Sequence, residues 1–450
     1  MSYLKITKTV LMRRIPLGTY LCYPYGCKLE TFSPIMEINE SVESLLKLCD
    51  GTRTRDDVLQ QLAKESGEPL EEIADAFDEL VEYLIGEGIL EWSEEPSFIE
   101  PIYSRTRPFS ISIDITSACN LRCPFCSVSA GAPREDDLTF DDIAQFVEQV
   151  KKFKPTPLAI GGGEPLIKKE MVLYMLEELS SVKEVVVSIF TNGTLITKDY
   201  AQQLYNAGLK YARISVDGHT EKVHDASRGK GSFKKTIQGI KHLRELGVHV
   251  DTVSVISRIN YPYLRKIREF VDQISDTHSI TYVYPYGRAA GTDLCLTAEE
   301  IFNVKRVNAG LEGLEKIEAN IAPQDRCTVG ETLYITANGD IFPCVMLRFP
   351  EFKVGNLREN DLYEIYKNNS MEDLLRWTVK DIEQCRDCDI RYYCGSGCRA
   401  YAYKYGGSFY IPDPLNCRPN KILTQRILDN GEENTRRLLH ELVTSTAELG

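Results

Sequence analysis

Between residues 109 and 284 the chain alternates between two hydrophobic periods. Short apolar or two-residue patterns predict strands at Phe109–Ile115, Pro157–Ile160, Glu184–Phe190, Tyr211–Val216, Val248–Ile256 and Ser279–Tyr284. Between them, apolar residues three and four apart predict helices at Phe140–Lys152, Glu170–Ser180, Lys198–Ala207, Phe233–Leu246 and Tyr261–Ile274. Strand and helix alternating at this spacing predict an α/β fold, a parallel sheet with right-handed crossovers. Six such units are fewer than the eight that close a barrel. In parallel barrels the chemistry gathers at the carboxyl ends of the strands, so the residues just past each strand are the ones to read.

Upstream the pattern is finer. Val10–Arg14, Thr19–Tyr23 and Lys28–Phe32 predict short strands, separated by turns at Pro16–Gly18 and Tyr25–Gly26. Helices are predicted at Ser41–Cys49, Thr54–Ser66 and Leu70–Gly86, the last with Ile73, Phe77, Leu80 and Leu84 in one stripe. Gly88–Trp92 closes the unit as a strand. Strands plus three helices in residues 1–96 predict a winged-helix-like α+β domain. Glu71, Glu72, Asp75, Asp78 and Glu79 make its third helix acidic, which argues against DNA binding. Residues 97–107 read as a linker, 108–290 as the central domain, 291–326 as a bridging region, 327–420 as a cysteine-rich domain and 421–450 as surface helix. Cys22, Cys27 and Cys49 read as structural.

Composition narrows the class. With 450 residues, 43% hydrophobic and 26% charged, the chain can bury a large core. A net charge of −13 excludes a broad nucleic-acid footprint. No apolar run reaches the length of a membrane span, and the N-terminus lacks a signal-peptide apolar region. Fourteen cysteines, clustered, in a chain read as cytoplasmic favour metal ligation over disulfides.

The decisive stretch follows the first central strand: Cys119-Asn-Leu-Arg-Cys123-Pro-Phe125-Cys126. Three thiolates at C-x3-C-x2-C spacing can wrap one iron–sulfur cluster. A four-iron cluster wants one ligand per iron, so one iron stays open to a ligand the protein does not supply. The motif, with Phe125 before its last cysteine, resembles the cluster loop of radical S-adenosylmethionine (radical SAM) enzymes. The resemblance implies a partial (β/α)6 barrel in which Cys119, Cys123 and Cys126 are catalytic cluster ligands. The open iron would chelate the SAM methionine, and reductive cleavage would give a 5′-deoxyadenosyl radical that abstracts hydrogen.

Gly161-Gly-Gly-Glu-Pro165 after the second strand matches that family's "GGEP" motif, which carries Gly162, Gly163, Glu164 and Pro165 over as SAM-binding residues. Ser188 to Gly193 and Ser215 to Gly218 end the next two strands, with Asn192 among their small polar groups. By resemblance Ser188 and Arg228 would meet the SAM carboxylate, with Ser215 and Asp217 as polar contacts. Tyr284 to Arg288, past the sixth strand, read as lining the same cavity.

Seven further cysteines follow: Cys327, Cys344, Cys385, Cys388, Cys394, Cys398 and Cys417. A structural zinc site is the plain alternative, but seven do not divide into four-ligand sites. Their spacing, with Gly339 five residues before Cys344, resembles the SPASM array of radical SAM peptide maturases. That implies two auxiliary four-iron clusters, hence three [4Fe–4S] clusters in all. By the family's pairing, Cys385, Cys388, Cys394 and Cys417 hold the outer one and Cys327, Cys344 and Cys398 the inner one. Either Cys295 completes the inner cluster or one of its irons is open; an open iron, free to take a substrate thiolate, is the favoured reading.

In the N-terminal segment, Leu48-Cys-Asp-Gly-Thr52 with Val58-Leu-Gln-Gln-Leu62 resembles the leader-recognition domain of peptide-modifying enzymes. There the leader adds as a strand to a sheet edge, here expected between the edge and the third helix. The whole pattern resembles sactipeptide and "six cysteines in forty-five residues" maturases. It implies thioether crosslinking in a ribosomally made cysteine-rich precursor, with an electron donor such as ferredoxin or flavodoxin. The rivals are another SPASM chemistry (carbon–carbon crosslinking, epimerisation, sulfatase maturation) and a non-catalytic iron–sulfur carrier.

Overall fold

The computed structural model describes residues 2–6, 11–15, 18–22, 35–96, 110–153, 155, 157–182, 185–308, 325–327, 329–330, 332–368 and 377–430. The expected strand at 28–32, the linker at 97–107, Cys27 and the stretch 431–450 lie outside these residues.

The N-terminal part carries two small antiparallel sheets. In one, β1 (Tyr3–Ile6) lies between β5 (Asp50–Thr54) and β6 (Leu90–Ser93). The other runs β2 (Leu11–Ile15), β3 (Gly18–Cys22), β4 (Ile35–Ile38). Three helices accompany them, α1 (Glu40–Leu48), α2 (Arg55–Ser66) and α3 (Leu70–Gly86). The helix starts are written locally: Asn39 caps α1, and Thr54 with Asp57 forms a capping box on α2. On α3, Phe77, Val81 and Leu84 turn inward and join Leu4, Ile6 and Leu46 in one core, with Cys49 buried among them.

The central sheet is parallel and ordered β12-β11-β10-β9-β8-β7. Its strands are β7 (Ser110–Asp114), β8 (Leu158–Gly161), β9 (Val187–Thr191), β10 (Tyr211–Ser215), β11 (His249–Ile256) and β12 (Thr277–Tyr282). Between them run α4 (Phe140–Phe153), α5 (Lys169–Ser180), α6 (Lys198–Asn206), α7 (Glu221–Arg228), α8 (Ser232–Glu245) and α9 (Leu264–Ile274). The six expected strands are all present, each within three residues of its expected ends. Strict alternation in β11 buries Val250, Thr252, Ser254 and Ile256 on one face. Leu264, Ile267 and Val271 give α9 its buried stripe. These faces meet in one continuous core containing Ile111, Ile113, Phe146, Ile160, Met175 and Ile214.

Two features escape hydrophobic periodicity. Helix α7 turns His224, Ser227 and Arg228 inward beside Val223, so its buried face is mostly polar and carries no apolar stripe. The central sheet also does not end at β7. Strand β13 (Thr332–Ile335) pairs with it in parallel, and β14 (Asp340–Phe342) and β15 (Gly355–Asn356) continue antiparallel to a nine-stranded sheet. The turn between β13 and β14 passes through Gly339, and Cys344 stands just beyond β14. The later cysteines are thereby built onto the edge of the central sheet. The bridging region contains α10 (Ala298–Asn308), and Cys417–Asn430 forms the last described helix. Among the described residues no helix is long and apolar enough to cross a membrane.

Candidate functional site

The cysteine loop leaves β7 and is held from three sides. At its start the Asp137 carboxylate accepts from the Thr116 hydroxyl (2.9 Å), the Ser117 amide (2.9 Å) and the Ser117 hydroxyl (3.0 Å). From β8, the Gly163 amide donates to the Thr116 carbonyl and the Glu164 amide to the Ala118 carbonyl, both at 2.8 Å. A Cβ on Gly163 would stand 2.2 Å from the Ala118 oxygen, so only glycine permits this approach. Past β12, Arg288 donates through Nε to the Cys123 carbonyl (2.7 Å) and through Nη1 to the Ala130 carbonyl (2.6 Å). At the end of the Tyr284–Arg288 stretch, Gly287 and Arg288 meet the loop backbone, a contact the sequence reading did not include. The two glycines of the GGEP stretch meet the loop backbone, a packing role that the sequence motif does not reveal.

Amides of Leu121 and Ala130 donate to the sulfurs of Cys119 and Cys126, each at 3.4 Å. Burial pushes the Cys119 thiol up to about 11 and the Cys123 thiol upward as well. Phe125 is buried, and the Arg228 guanidinium lies 5.7 Å from its ring centroid. Arg228 is itself buried and pairs with Asp217 (Nε to Oδ2, 2.5 Å). Burial works against its charge, but Asp217 and the Cys123 sulfur outweigh that and raise it. Asp217, fully buried, also accepts from the Val255 amide at 2.8 Å.

Glu164 is fully buried, and both its oxygens are engaged within the protein. It accepts from the Leu166 amide (3.1 Å), the Thr191 hydroxyl (2.6 Å) and the Asn192 amide (2.8 Å). Burial nevertheless pushes its carboxyl upward. It ties β8 to the end of β9, with Pro165 buried beside it. Asn192 donates to Asn120 Oδ1 at 2.9 Å and so reaches the cysteine loop directly. Ser215 ends β10. Ser188 sits elsewhere: it is the second residue of β9, three positions (about 10 Å) before the strand's carboxyl end, and donates at 3.5 Å to the Leu158 carbonyl. Thr191, which sequence reasoning did not assign, occupies that end.

The seven later cysteines fall into two sets. Cys385, Cys388, Cys394 and Cys417 line a single cavity together with Arg391, Asp413 and Lys421. Cys327, Cys344 and Cys398 bear on one another electrostatically, each raised or raising through the others' charge in addition to burial. Cys295 packs elsewhere, with Leu121, Cys126, Val255 and Leu294 against the cluster of Cys123, Phe125, Val283 and Ala289. Asp413 joins the two sets: its carboxylate accepts from the Cys398 amide at 2.7 Å and its carbonyl from the Cys417 amide at 3.2 Å.

A family model described as the radical SAM superfamily matches residues 113–274, from β7 to the end of α9 and across the Cys119–Cys126 loop. The chain carries a radical SAM domain. A second model, the SPASM iron–sulfur cluster-binding domain, matches residues 327–389 and takes in Cys327, Cys344, Cys385 and Cys388. The AdoMet-dependent heme synthase of Methanosarcina barkeri is 26% identical over 347 residues, 70% of this chain and 98% of that protein. The mycofactocin maturase MftC of Mycolicibacterium smegmatis is 27% identical over 325 residues, 68% and 82% respectively. In fold, anSMEcpe with bound AdoMet covers 74% of this chain and 100% of its own at TM-score 0.59 and 18% identity. Streptococcus suis SuiB bound to precursor peptide SuiA covers 92% and 99% at TM-score 0.59 and 17% identity.

The radical SAM and SPASM domains bring SAM and iron–sulfur clusters as cofactors, and the donor sets fit clusters. Among the described residues no three His, Cys, Asp or Glu groups close on a point suited to a single metal ion. Four cysteines around a cavity instead offer one sulfur per iron.

On the central sheet, Asp114 ends β7 and accepts from the Tyr334 hydroxyl of β13. Burial lifts its carboxyl from 3.8 to about 6, with Tyr334 and Arg348 opposing the rise. A folded pKa above the unfolded one means that stability is full below about pH 4 and falls as pH rises through about 6. Asp114→Asn should remove this fall. Relative to the parent, the variant gains about 2–3 kcal/mol between pH 4 and 7.5 in anaerobic denaturant titrations. A difference that stays flat with pH would show that the carboxyl does not titrate in this range.

Proposed function

We propose that this chain is a radical SAM peptide maturase that holds a leader peptide on its N-terminal domain and forms cysteine sulfur-to-carbon thioether crosslinks. The observation carrying the thioether reading is the unequal cysteine sets. Among the described residues four cysteines line the outer cavity, three form the inner set, and Cys295 packs against the Cys123–Phe125 cluster instead. A four-iron cluster on the inner set keeps one iron for a sulfur that the protein does not supply. A peptide cysteine has the right chemistry for that place.

The peptide substrate is supported by the reach of the fold likeness. SuiB, solved bound to its precursor peptide SuiA, covers 92% of this chain against 74% for anSMEcpe. The uncovered 8% is too little to leave out all of residues 1–96, which supports reading the N-terminal unit as part of the likeness. The two N-terminal sheets offer edges to which an extended leader can add.

SAM and the clusters would supply reductive cleavage, hydrogen abstraction and electron acceptance. The chain's own residues place the parts. Gly163, Glu164 and Arg288 fix the cysteine loop, Asp217 holds Arg228 beside Phe125, and the buried thiols give up protons as clusters assemble. As the GGEP resemblance implies, Gly162, Gly163, Asn192, Ser215 and Arg228 would contact SAM, while Glu164, with both oxygens held inside the protein, would shape that loop.

Mass spectrometry of the treated precursor tests the reading. Loss of two hydrogens per crosslink, with cysteines protected from alkylation, is the expected result. A two-hydrogen loss with alkylatable cysteines would assign carbon–carbon crosslinking, and unchanged mass would assign epimerisation. The likeness to AdoMet-dependent heme synthase and to mycofactocin maturase supports keeping such other chemistries as the second reading. For the open iron, Cys295→Ala should retain the parent's full iron content. Loss of about four irons per chain would make Cys295 the missing ligand.

A further inference from the structure

Arg399 follows Cys398, opens the helix Arg399–Gly406 and is 0% exposed. Its guanidinium donates to the carbonyls of Phe409 (2.7 Å), Ile411 (2.6 Å) and Ser396, and lies 5.5 Å from the Trp377 ring centroid. Its Nε is buried with no hydrogen-bond partner. Among the described residues no carboxylate forms an ion pair with it. Beyond burial itself, the charges bearing on it are those of Cys327, Asp413, Cys385 and Cys398.

A fully buried cation whose hydrogen bonds all go to neutral carbonyls is costly unless negative charge lies close by. The buried Asp413 carboxylate supplies part of that charge but is itself engaged by the Cys398, Leu415 and Asn416 amides, which leaves the thiolates of the two sets. Its place touches both sets: it directly follows Cys398 of the inner set, and the Ser396 whose carbonyl it holds lines the cavity of Cys385, Cys388, Cys394 and Cys417. We propose that Arg399 is the shared counter-charge of the two auxiliary clusters, a fixed cation between them that favours the reduced form of both. The inference rests on the reading that each set holds a cluster. One-electron reduction adds negative charge, so a nearby fixed cation raises the reduction potential. Asn420 provides a local contrast: its Nδ2 donates to the Cys394 sulfur at 3.1 Å, and its Oδ1 accepts from Lys305 at 2.9 Å. That arrangement touches the outer set alone.

The test is an anaerobic redox titration of the reconstituted full-length protein, followed by electron paramagnetic resonance, with iron content measured in parallel. In Arg399→Gln both auxiliary potentials should fall by at least a tenfold change in the reduction equilibrium, about 59 mV for a one-electron couple. The SAM-binding cluster should stay in place, and Asn420→Ala should move the outer cluster only. A merely structural role would leave the potentials of loaded clusters unmoved. Iron content intact with neither or only one auxiliary potential shifted overturns the proposal. If Arg399→Gln loses its iron, Arg399→Lys decides. Loaded clusters at near-parental potentials support a role for charge; lowered potentials, or iron lost as fully as in the Gln variant, overturn it. A parent showing a single auxiliary signal overturns the two-cluster reading and the sharing with it, and is told apart because the defect lies in the parent.

Discussion

Cys123→Ala takes SAM cleavage to background, and Gly163→Val does the same with every cysteine in place. The first removes one of three thiolates from a loop that has no spare among its own residues. The second acts through packing. A side chain at Gly163 would meet the Ala118 carbonyl at 2.2 Å and displace the backbone hydrogen bonds that position Cys119. Catalysis that depends wholly on a bound cofactor is lost with it, so a fall on the order of 10⁴-fold or more in 5′-deoxyadenosine release is expected. Iron content separates the causes: both variants should lack about four irons while keeping the auxiliary signals. A Gly163→Val protein that retains its first cluster and its activity would show that the close approach to the loop does not matter.

Asp217→Ala is the second large effect. Asp217 is 0% exposed, and its carboxylate pairs with Arg228 at 2.5 Å and caps the Val255 amide at 2.8 Å. Removing it strands a buried guanidinium against Phe125 and the Cys123 thiol. Breaking a buried pair from one side costs about 3–5 kcal/mol, a large part of a typical domain's stability. The loss should appear in the denaturation midpoint. Asp217→Leu combined with Arg228→Met should recover most of it, since an apolar pair leaves no stranded charge. The double variant should still fail to bind SAM if Arg228 meets the SAM carboxylate. Parental SAM affinity in that variant would restrict Arg228 to a structural role.

Where hydrophobic periodicity reports burial, the fold was legible. The stripe of α9 comes straight from its apolar positions. Strand β11 shows as a β-branched run, but which face it buries does not, because Thr252 and Ser254 go inward while Val253 and Val255 stay half-buried. Helix α7 was not legible because its inward residues are His224, Ser227 and Arg228. The pairing of β13 with β7 was not legible because the two strands lie some 220 positions apart, as in the Ser110 to Thr332 hydrogen bond. At the site, motif spacing found the cysteine loop but not the side chains that hold it. Asp137 and Arg288 act through the loop's backbone and Thr191 through the Glu164 carboxylate, contacts that no motif records. Ser188 shows the limit of carrying a residue over by resemblance. The expected strand already ran past it to Phe190, and the observed one ends a residue later at Thr191. Arg399 was missed because a lone arginine beside a cysteine reads as surface charge until its burial is known.

The most direct test of the central claim is one anaerobic assay. Reconstituted, reduced protein is incubated with SAM and candidate cysteine-rich precursor peptides that keep their leaders, and 5′-deoxyadenosine is quantified against crosslinked peptide. A radical SAM peptide maturase releases 5′-deoxyadenosine in step with peptide that has lost two hydrogens per crosslink. Fully iron-loaded protein that leaves SAM intact would contradict it.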